Sequence, residues 1–279
     1  MVTQLSSSQQ RIRDLETLLI WEGSLENSRI REVFGLQMVQ ASRMVTAFMS
    51  EHKHDVARVT PHAPVIAQSN FKPLYSLNEP DEYLRLVEGA RPAEVAPFIT
   101  DARIDLSPTS SQLFATLNQA CRLGLGVNIF YRSVNNPDGS DRLVFPHSMV
   151  RAARRWHVRA WCTLRQEFRD FTVGRIISAA LTDEQSAVDV TADSAWHEMV
   201  DLVVAAHPAL SEEQAQVLRH EYLASQISSK VNVRRALVSY VVQDLRLAID
   251  PLKHLPPGYQ LVLVNFNDFP DSFAVGSAS

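Results

Sequence analysis

Arg155-Trp156-His157-Val158-Arg159-Ala160-Trp161-Cys162 is the stretch on which the fold of this chain turns. Its residues alternate at the period of a β-strand. Trp156, Val158, Ala160 and Cys162 share one face, and Arg155, His157, Arg159 and Trp161 share the other. The apolar face asks for a core beneath it. A face carrying Arg, His and Arg has to meet solvent or an anion, because buried unpaired charge is costly. Downstream, Phe168–Ile177 reads as a second strand with Arg169, Phe171, Val173 and Arg175 on one face. Upstream, Asn135-Asn136-Pro137-Asp138-Gly139 is a hairpin turn between the β-prone Val127–Arg132 and Asp141–Phe145, and Met149–Ala153 follows as a further strand. A helix over Gln112–Arg122 precedes this group, which closes into a small barrel or curled sheet. Arginines converging from neighbouring strands are the raw material of an anion pocket. Exposed arginines paired with acids elsewhere are the alternative, and spacing alone does not separate the two.

The charge balance sharpens the point. The net charge is −4, which argues against a nucleic-acid partner, since phosphate binding needs local positive potential. Between residues 130 and 180, however, the basic side chains are Arg132, Arg142, Arg151, Arg154, Arg155, Arg159, Arg165, Arg169 and Arg175, against Asp138, Asp141, Glu167 and Asp170. All of the basic ones are arginine, the residue suited to bidentate recognition of phosphate or carboxylate.

The N-terminal part reads as helices followed by a wing. Ile12, Leu15 and Leu19 mark one helix face; Asn27–Phe34 is a short helix with Ile30, Val33 and Phe34 inward; Gly35 supplies a turn. A third helix, Gln37–Glu51, carries Ala41, Met44, Val45, Phe48 and Met49 as its apolar stripe. Two helices joined by a short glycine-containing turn form a helix-turn-helix pattern. Val56–Thr60 and Val65–Ala67, flanking Pro61-His62-Ala63-Pro64, supply a two-stranded wing. The polar residues Gln37, Gln40, Ser42, Arg43 and Thr46 lie off the stripe, where Gln and Arg can bond base edges and Ser or Thr can hold phosphate. A solvated polar face gives the same pattern. Residues 78–111 read as a connection with a short helix near Glu82–Gly89. The last third predicts helices at Ser194–Ala206, Ser211–Ala224 and Val233–Leu245 and a terminal strand at Tyr259–Phe266.

Catalytic signatures are mostly absent. His197-Glu198 and His220-Glu221 lack the second histidine of a zincin, and His52 and His54 have no Cys/His partner pair. There is no glycine-rich phosphate loop, no GxSxG elbow and no paired-carboxylate motif. Cys121 and Cys162 are too few for a disulfide framework, and Cys162 belongs to an apolar strand face. No apolar run approaches the ~18–20 residues of a membrane span, and the first residues lack a secretory apolar core. The expectation is a cytoplasmic, nucleoid-associated protein with no cofactor and no metal.

Arg155–Trp161, with Phe168-Arg169-Asp170-Phe171, Gly174-Arg175-Ile176 and Val144-Phe145-Pro146-His147-Ser148 before it, resembles the WYL domain of bacterial regulators. Trp156-His157-Val158 stands where that family usually has Trp-Tyr-Leu. Ser28–Leu36, Gln40-Ala41-Ser42-Arg43 and Val233–Tyr240 extend the likeness to the WYL repressors of anti-phage defence operons, the BrxR-like and CapW-like regulators. The resemblance implies an α+β chain of three parts: residues 1–100, a winged helix-turn-helix DNA-binding domain with linker; 101–185, an Sm-like small β-barrel, the WYL domain; and 186–279, a C-terminal α/β dimerisation domain called WCX. It implies a non-enzymatic homodimeric repressor on an inverted-repeat operator in double-stranded DNA, released by a nucleotide or oligonucleotide effector. Gln37, Gln40, Ser42 and Arg43 would enter the major groove, with Arg29, Lys53 and His62 fixing register on the backbone. Tyr131, Ser133, His147, Arg159, Arg169 and Arg175 are the ligand-pocket candidates. An activator of the same architecture, an RNA- or oligonucleotide-binding module centred on the barrel, and an enzyme using His147 and the arginines stand as alternatives.

Overall fold

The computed structural model describes residues 5–61, 63–88, 107, 109–152 and 155–273. The chain divides into two compact units, Met1–Ala102 and Arg103–Ser279.

The first unit is built on three helices and a wing. Helix α1 (Ser7–Glu22) starts from a Ser6/Gln9 capping box and ends at Gly23, whose φ of 79° is the left-handed cap that glycine adopts without penalty. Helix α2 (Asn27–Phe34) ends the same way at Gly35, and α3 (Met38–Glu51) begins after the three-residue turn Gly35-Leu36-Gln37. The expected stripe of α3 is the buried one: Ala41, Val45 and Phe48 are in the core, with Met44 and Met49 packed against it. Ile30 and Val33 of α2 and Leu15, Leu18 and Leu19 of α1 complete the contact. The wing is shorter than expected, with β1 (Val56–Ala57) pairing antiparallel with β2 (Ile66–Ala67), and Leu25 bridging to Val65 beside it. Helix α4 (Pro80–Glu88) returns onto α1 through Tyr83, Val87 and an Arg13–Glu82 ion pair.

One polar group sits at the centre of this unit. Glu16 of α1 is fully buried and accepts four hydrogen bonds, from His52 Nε2 (2.9 Å), Leu74 N (2.7 Å), Tyr75 N (2.9 Å) and Ser76 N (2.8 Å). It therefore ties α1 to the C-terminal end of α3 and to the segment after the wing.

In the second unit, α5 (Ser111–Leu123) packs on a five-stranded antiparallel sheet of order β6-β5-β4-β3-β7. The strands are β3 (Leu125–Ser133), β4 (Asn136–Ala152), β5 (Arg155–Cys162), β6 (Glu167–Thr172) and β7 (Ile176–Gln185). Two expected strands, Asp141–Phe145 and Met149–Ala153, are one long strand, β4, bent by a register shift between Pro146 and Ser148. The expected strand Phe168–Ile177 is instead broken. Val173–Arg175 is a single 3-10 turn separating β6 from β7. Gly174 in that turn has Ser107 against it so closely that a side chain would collide.

The C-terminal part departs most from expectation. Ser194–Ala206 is not one helix but a short helix α6 (Ser194–His197) followed by strand β8 (Met199–Ala206). Strand β9 (Ser228–Arg234) takes the start of the expected helix Val233–Leu245, which survives as α8 (Val238–Asp244). Between them α7 (Glu212–Tyr222) forms as expected, from a Ser211/Gln214 capping box. The sheet order is β10-β11-β8-β9, with β10 (Leu247–Ala248) and a short β11 (Leu261–Leu263). The valines of β8 fill a strand between two others, so pairing overrode a helix-compatible pattern.

Candidate functional site

In the first unit α3 presents a continuous outward surface formed by Met38, Val39, Ser42, Arg43, Thr46 and Ser50. Arg43 is exposed, and Met38 and Val39 are 64% and 61% exposed at the first turn. Two exposed apolar residues beside an arginine on the second helix of a helix-turn-helix match what a base-edge reader needs: bidentate donors for guanine and apolar contact for the thymine methyl. Met38 and Val39 were not singled out from the sequence; their only signal was that they fall off the buried stripe.

The other expected DNA contacts divide. Gln40 turns its side-chain oxygen to the Gln37 amide (3.0 Å), holding the start of the helix, and Ser42 accepts from Asn27 (3.3 Å). Lys53 is exposed in the turn after α3. His62 lies outside the described residues. The expectation for Arg29 is corrected. Its guanidinium grips Glu22 through Nε (3.0 Å) and Nη2 (2.7 Å) and Glu32 through Nη1 (2.8 Å), and the Glu22 bonds raise its pKa further. Between two carboxylates it clamps α1 to α2.

In the second unit the polar face of β5 is buried, not solvated. His157 and Arg159 are 3% and 6% exposed. The anion that Arg159 meets is the protein's own. Its Nε and Nη2 donate to Asp193 (2.5 and 2.8 Å) and its Nη1 to Asp170 (3.1 Å). His147 Nε2 also reaches Asp193 (3.1 Å), while Asp170 accepts from Tyr240 Oη (3.1 Å), which stands 3.3 Å from His157 Nδ1. The result is one hydrogen-bonded chain, His147–Asp193–Arg159–Asp170–Tyr240–His157, running from strands β4, β5 and β6 to α8. Burial alone would raise Asp193, but bonds from His147 and Arg159 hold it far below the usual carboxylate range. Burial raises Asp170 against the pull of Arg159, and burial with the Asp170 charge drives the Tyr240 phenol far up. Burial, with Arg155 and Arg175 beside it, pushes His157 down to about 4, so its ring is neutral at pH 7.

Beside this chain opens a cleft of about 920 Å³ lined by residues of the five-stranded sheet and of the C-terminal part together. Arg155 and His157 of β5 and Arg175 of the turn after β6 line it, with Tyr240, Arg246 and His254 from the C-terminal part. Arg246 follows α8 at φ 48°, the left-handed position where a helix end usually takes glycine, so an arginine is held there against local backbone preference.

Of the expected ligand residues, only Arg175 lines the cleft. His147 and Arg159 are brought together, but on Asp193. Tyr131 is corrected to the core: β3 alternates Val127, Ile129 and Tyr131 inward, and its ring meets Phe171 edge-on at 5.1 Å. Ser133 is corrected to the hairpin, where its oxygen accepts from Asn136 N (3.1 Å). Arg169 pairs with Glu167 (2.9 Å) and lies opposite Ala160, whereas Asp170 lies opposite Arg159, so Arg169 and Arg159 face opposite sides. Among the described residues no cluster of His, Cys, Asp and Glu is arranged to hold a metal, and no helix is long and apolar enough to cross a membrane.

Residues 7–89 match the winged helix-turn-helix domain of BrxR transcriptional regulators, residues 112–181 the WYL domain, and residues 199–269 the C-terminal dimerization domain of the BrxR regulator. The chain has the three-domain build of the BrxR transcriptional regulators. Relatives agree along nearly the whole length. The DNA-binding transcriptional repressor CapW of Pseudomonas aeruginosa is 27% identical over 94% of this chain and 91% of its own. CapW of Escherichia coli (strain KTE188) is 27% identical over 92% and 89%, and that of Stenotrophomonas maltophilia 24% over 92% and 89%. Within this BrxR-type build, the surface of α3 belongs to the winged helix-turn-helix domain. The cleft joins residues of the WYL domain to residues of the C-terminal domain.

Proposed function

We propose that this chain is a homodimeric, sequence-specific DNA-binding repressor, non-enzymatic, whose WYL domain senses an anionic nucleotide or nucleic-acid effector. The observation that carries the reading is the outward surface of α3, with Arg43, Met38 and Val39 standing free on the second helix of a winged helix-turn-helix. The full-length likeness to CapW repressors and the match to a dimerization domain support it. A two-fold dimer reads an inverted repeat, so the operator has two half-sites. We take residues 1–100, 101–185 and 186–279 as the DNA-binding, sensing and dimerisation parts. Resemblance to regulators of phage-defence operons makes such an operon the target.

Effector control requires the ligand to bind two dimer states with different affinity. The buried chain from His147 to His157 supplies a coupling element, because it links barrel strands to the C-terminal helix through groups that cannot lose a partner cheaply. A reporter fused to the chain's own upstream region tests the repressor reading. Deleting the gene is expected to raise output, and Arg43→Ala is expected not to restore repression. Output that falls on deletion identifies an activator and overturns the reading.

A further inference from the structure

We infer that strand β9 is a seam between two copies of this chain: their β9 edges pair antiparallel about an axis at Val231, joining two four-stranded sheets into one. The inference rests on the homodimer proposed above and goes beyond it by naming the strand, the register and the residues that fix it.

The C-terminal sheet, in the order β10-β11-β8-β9, has two edges. One is β10, two residues long; the other is β9, seven residues from Ser228 to Arg234. β9 keeps one unbroken register with β8 and has neither the proline nor the bulge that usually guards an open edge. The ladder shows which of its backbone groups are free. Arg235 N donates to Glu198 O at 2.9 Å, so the hydrogen-bonded pairs with β8 fall at Arg235, Val233, Val231 and Ser229. Val203 agrees in phase: its N–H goes to Asn265 and its C=O to Val264 N, which puts its partner Lys230 in a non-hydrogen-bonded pair. Ser228, Lys230, Asn232 and Arg234 therefore point N–H and C=O away from β8, where no backbone partner meets them among the described residues. Such a row of donors and acceptors is a template for another strand.

Self-pairing allows few registers, and charge selects among them. Outward-pointing residues must face one another, so a twofold axis near the middle of the strand passes through Lys230, Val231 or Asn232. An axis at Lys230 sets two lysines face to face, and one at Asn232 sets Lys230 against the partner's Arg234. Like charges directly opposite are destabilising. An axis at Val231 opposes Lys230 to the partner's Asn232 and Ser228 to the partner's Arg234, and it uses all four outward residues of each strand. It also continues the core. Val231 and Val233 lie half-buried on the apolar face with Leu202 and Val204, and the axis sets Val231 on its own copy in a non-hydrogen-bonded pair, where side chains come closest. The matched dimerization domain, residues 199–269, contains this strand.

Analytical ultracentrifugation of the full-length protein, with cysteine cross-linking in a Cys121→Ala background, tests the seam. Val231→Cys is expected to give a disulfide-linked dimer on mild oxidation, because facing Cα atoms in such a pair lie within disulfide reach. Val233→Cys is expected not to, since each copy sits displaced along the strand from the other. Lys230→Pro removes an N–H that points away from β8, so it keeps the sheet and is expected to raise the dimer dissociation constant about tenfold or more. Asn232→Lys, an exposed substitution, opposes two lysines and is expected to weaken the dimer at low salt and far less at about 1 M salt. A dimeric wild type whose Val231→Cys variant stays unlinked, whose Val233→Cys variant links as readily, or whose Lys230→Pro or Asn232→Lys variant dimerises as tightly overturns the seam and leaves the homodimer standing. A wild type that sediments as a monomer overturns both.

Discussion

Replacing Asp193 with alanine strikes the buried chain at the residue with the most partners. Asp193 is 2% exposed and accepts from Arg159 Nε at 2.5 Å, Arg159 Nη2 at 2.8 Å, His147 Nε2 at 3.1 Å and the Trp196 amide at 3.3 Å. Its loss leaves a guanidinium that is 6% exposed with Asp170 as its remaining carboxylate. Orphaning a buried ion-pair partner costs about 3–5 kcal/mol, and the surviving Asp170 bond puts this case near the lower end. The Trp196 bond caps α6, and losing such a cap adds about 1 kcal/mol. A total near 4 kcal/mol corresponds to a drop of roughly 8–16 °C in the melting temperature of a unit of this size. Urea unfolding followed by tryptophan fluorescence is the assay, with Trp196 beside the substituted position. The triple variant Asp193→Ala/Arg159→Met/Asp170→Asn removes the orphaned guanidinium together with the carboxylate it would leave buried, and is expected to recover at least about 1 kcal/mol relative to Asp193→Ala. A loss below about 1 kcal/mol in Asp193→Ala, or a triple variant no more stable than it, would refute the coupling element.

His157 makes stability depend on pH with a definite sign. Its folded pKa, about 4, lies below the unfolded value near 6.5, so its contribution is full above about pH 6.5 and fades as pH falls toward 4. Between pH 7.5 and 5 the wild type is expected to lose about 2 kcal/mol more than His157→Gln in urea melts; parallel pH profiles count against the assignment. Glu16→Gln puts an amide N–H₂ among four donors and is expected to destabilise the first unit by about 2–3 kcal/mol in a thermal melt. A cost below about 0.5 kcal/mol contradicts the hub role. Exposed Met38 and Val39 imply contact with thymine methyls, so an upstream fragment made with uracil in place of thymine is expected to bind about fourfold more weakly per contacted methyl. Met38→Ala/Val39→Ala is expected to show no such difference, and equal sensitivity in that variant removes these residues from the readout.

The winged-helix unit was legible because its core is local. Ala41, Val45 and Phe48 repeat at helical spacing, and Gly35 marks the turn. Strand β5 was legible for the same kind of reason, its alternation placing Val158, Ala160 and Cys162 in the core. What covered its other face was not, because the partners are remote in sequence: Asp193 lies 34 residues beyond Arg159, and Tyr240 lies 70 beyond Asp170. Parity failed where a strand was taken as longer than it is. The 3-10 turn at Val173–Arg175 swings Arg175 away from the row begun by Arg169, and the cleft takes one without the other. Strand β8 was hidden for a different reason. Met199–Ala206 is apolar enough for helix or strand, and only pairing with β9 and β11 decides.

The central claim is that α3 reads DNA, and fluorescence anisotropy with the full-length protein and a labelled fragment of its own upstream region tests it most directly. Wild type is expected to prefer that fragment over a scrambled one of equal length by about 10³-fold or more at physiological salt. Arg43→Ala is expected to lose about 1–3 kcal/mol of that preference, and Lys53→Ala to weaken both fragments alike. Equal affinity of wild type for the two fragments, or an Arg43→Ala variant that discriminates as well as wild type, contradicts the account.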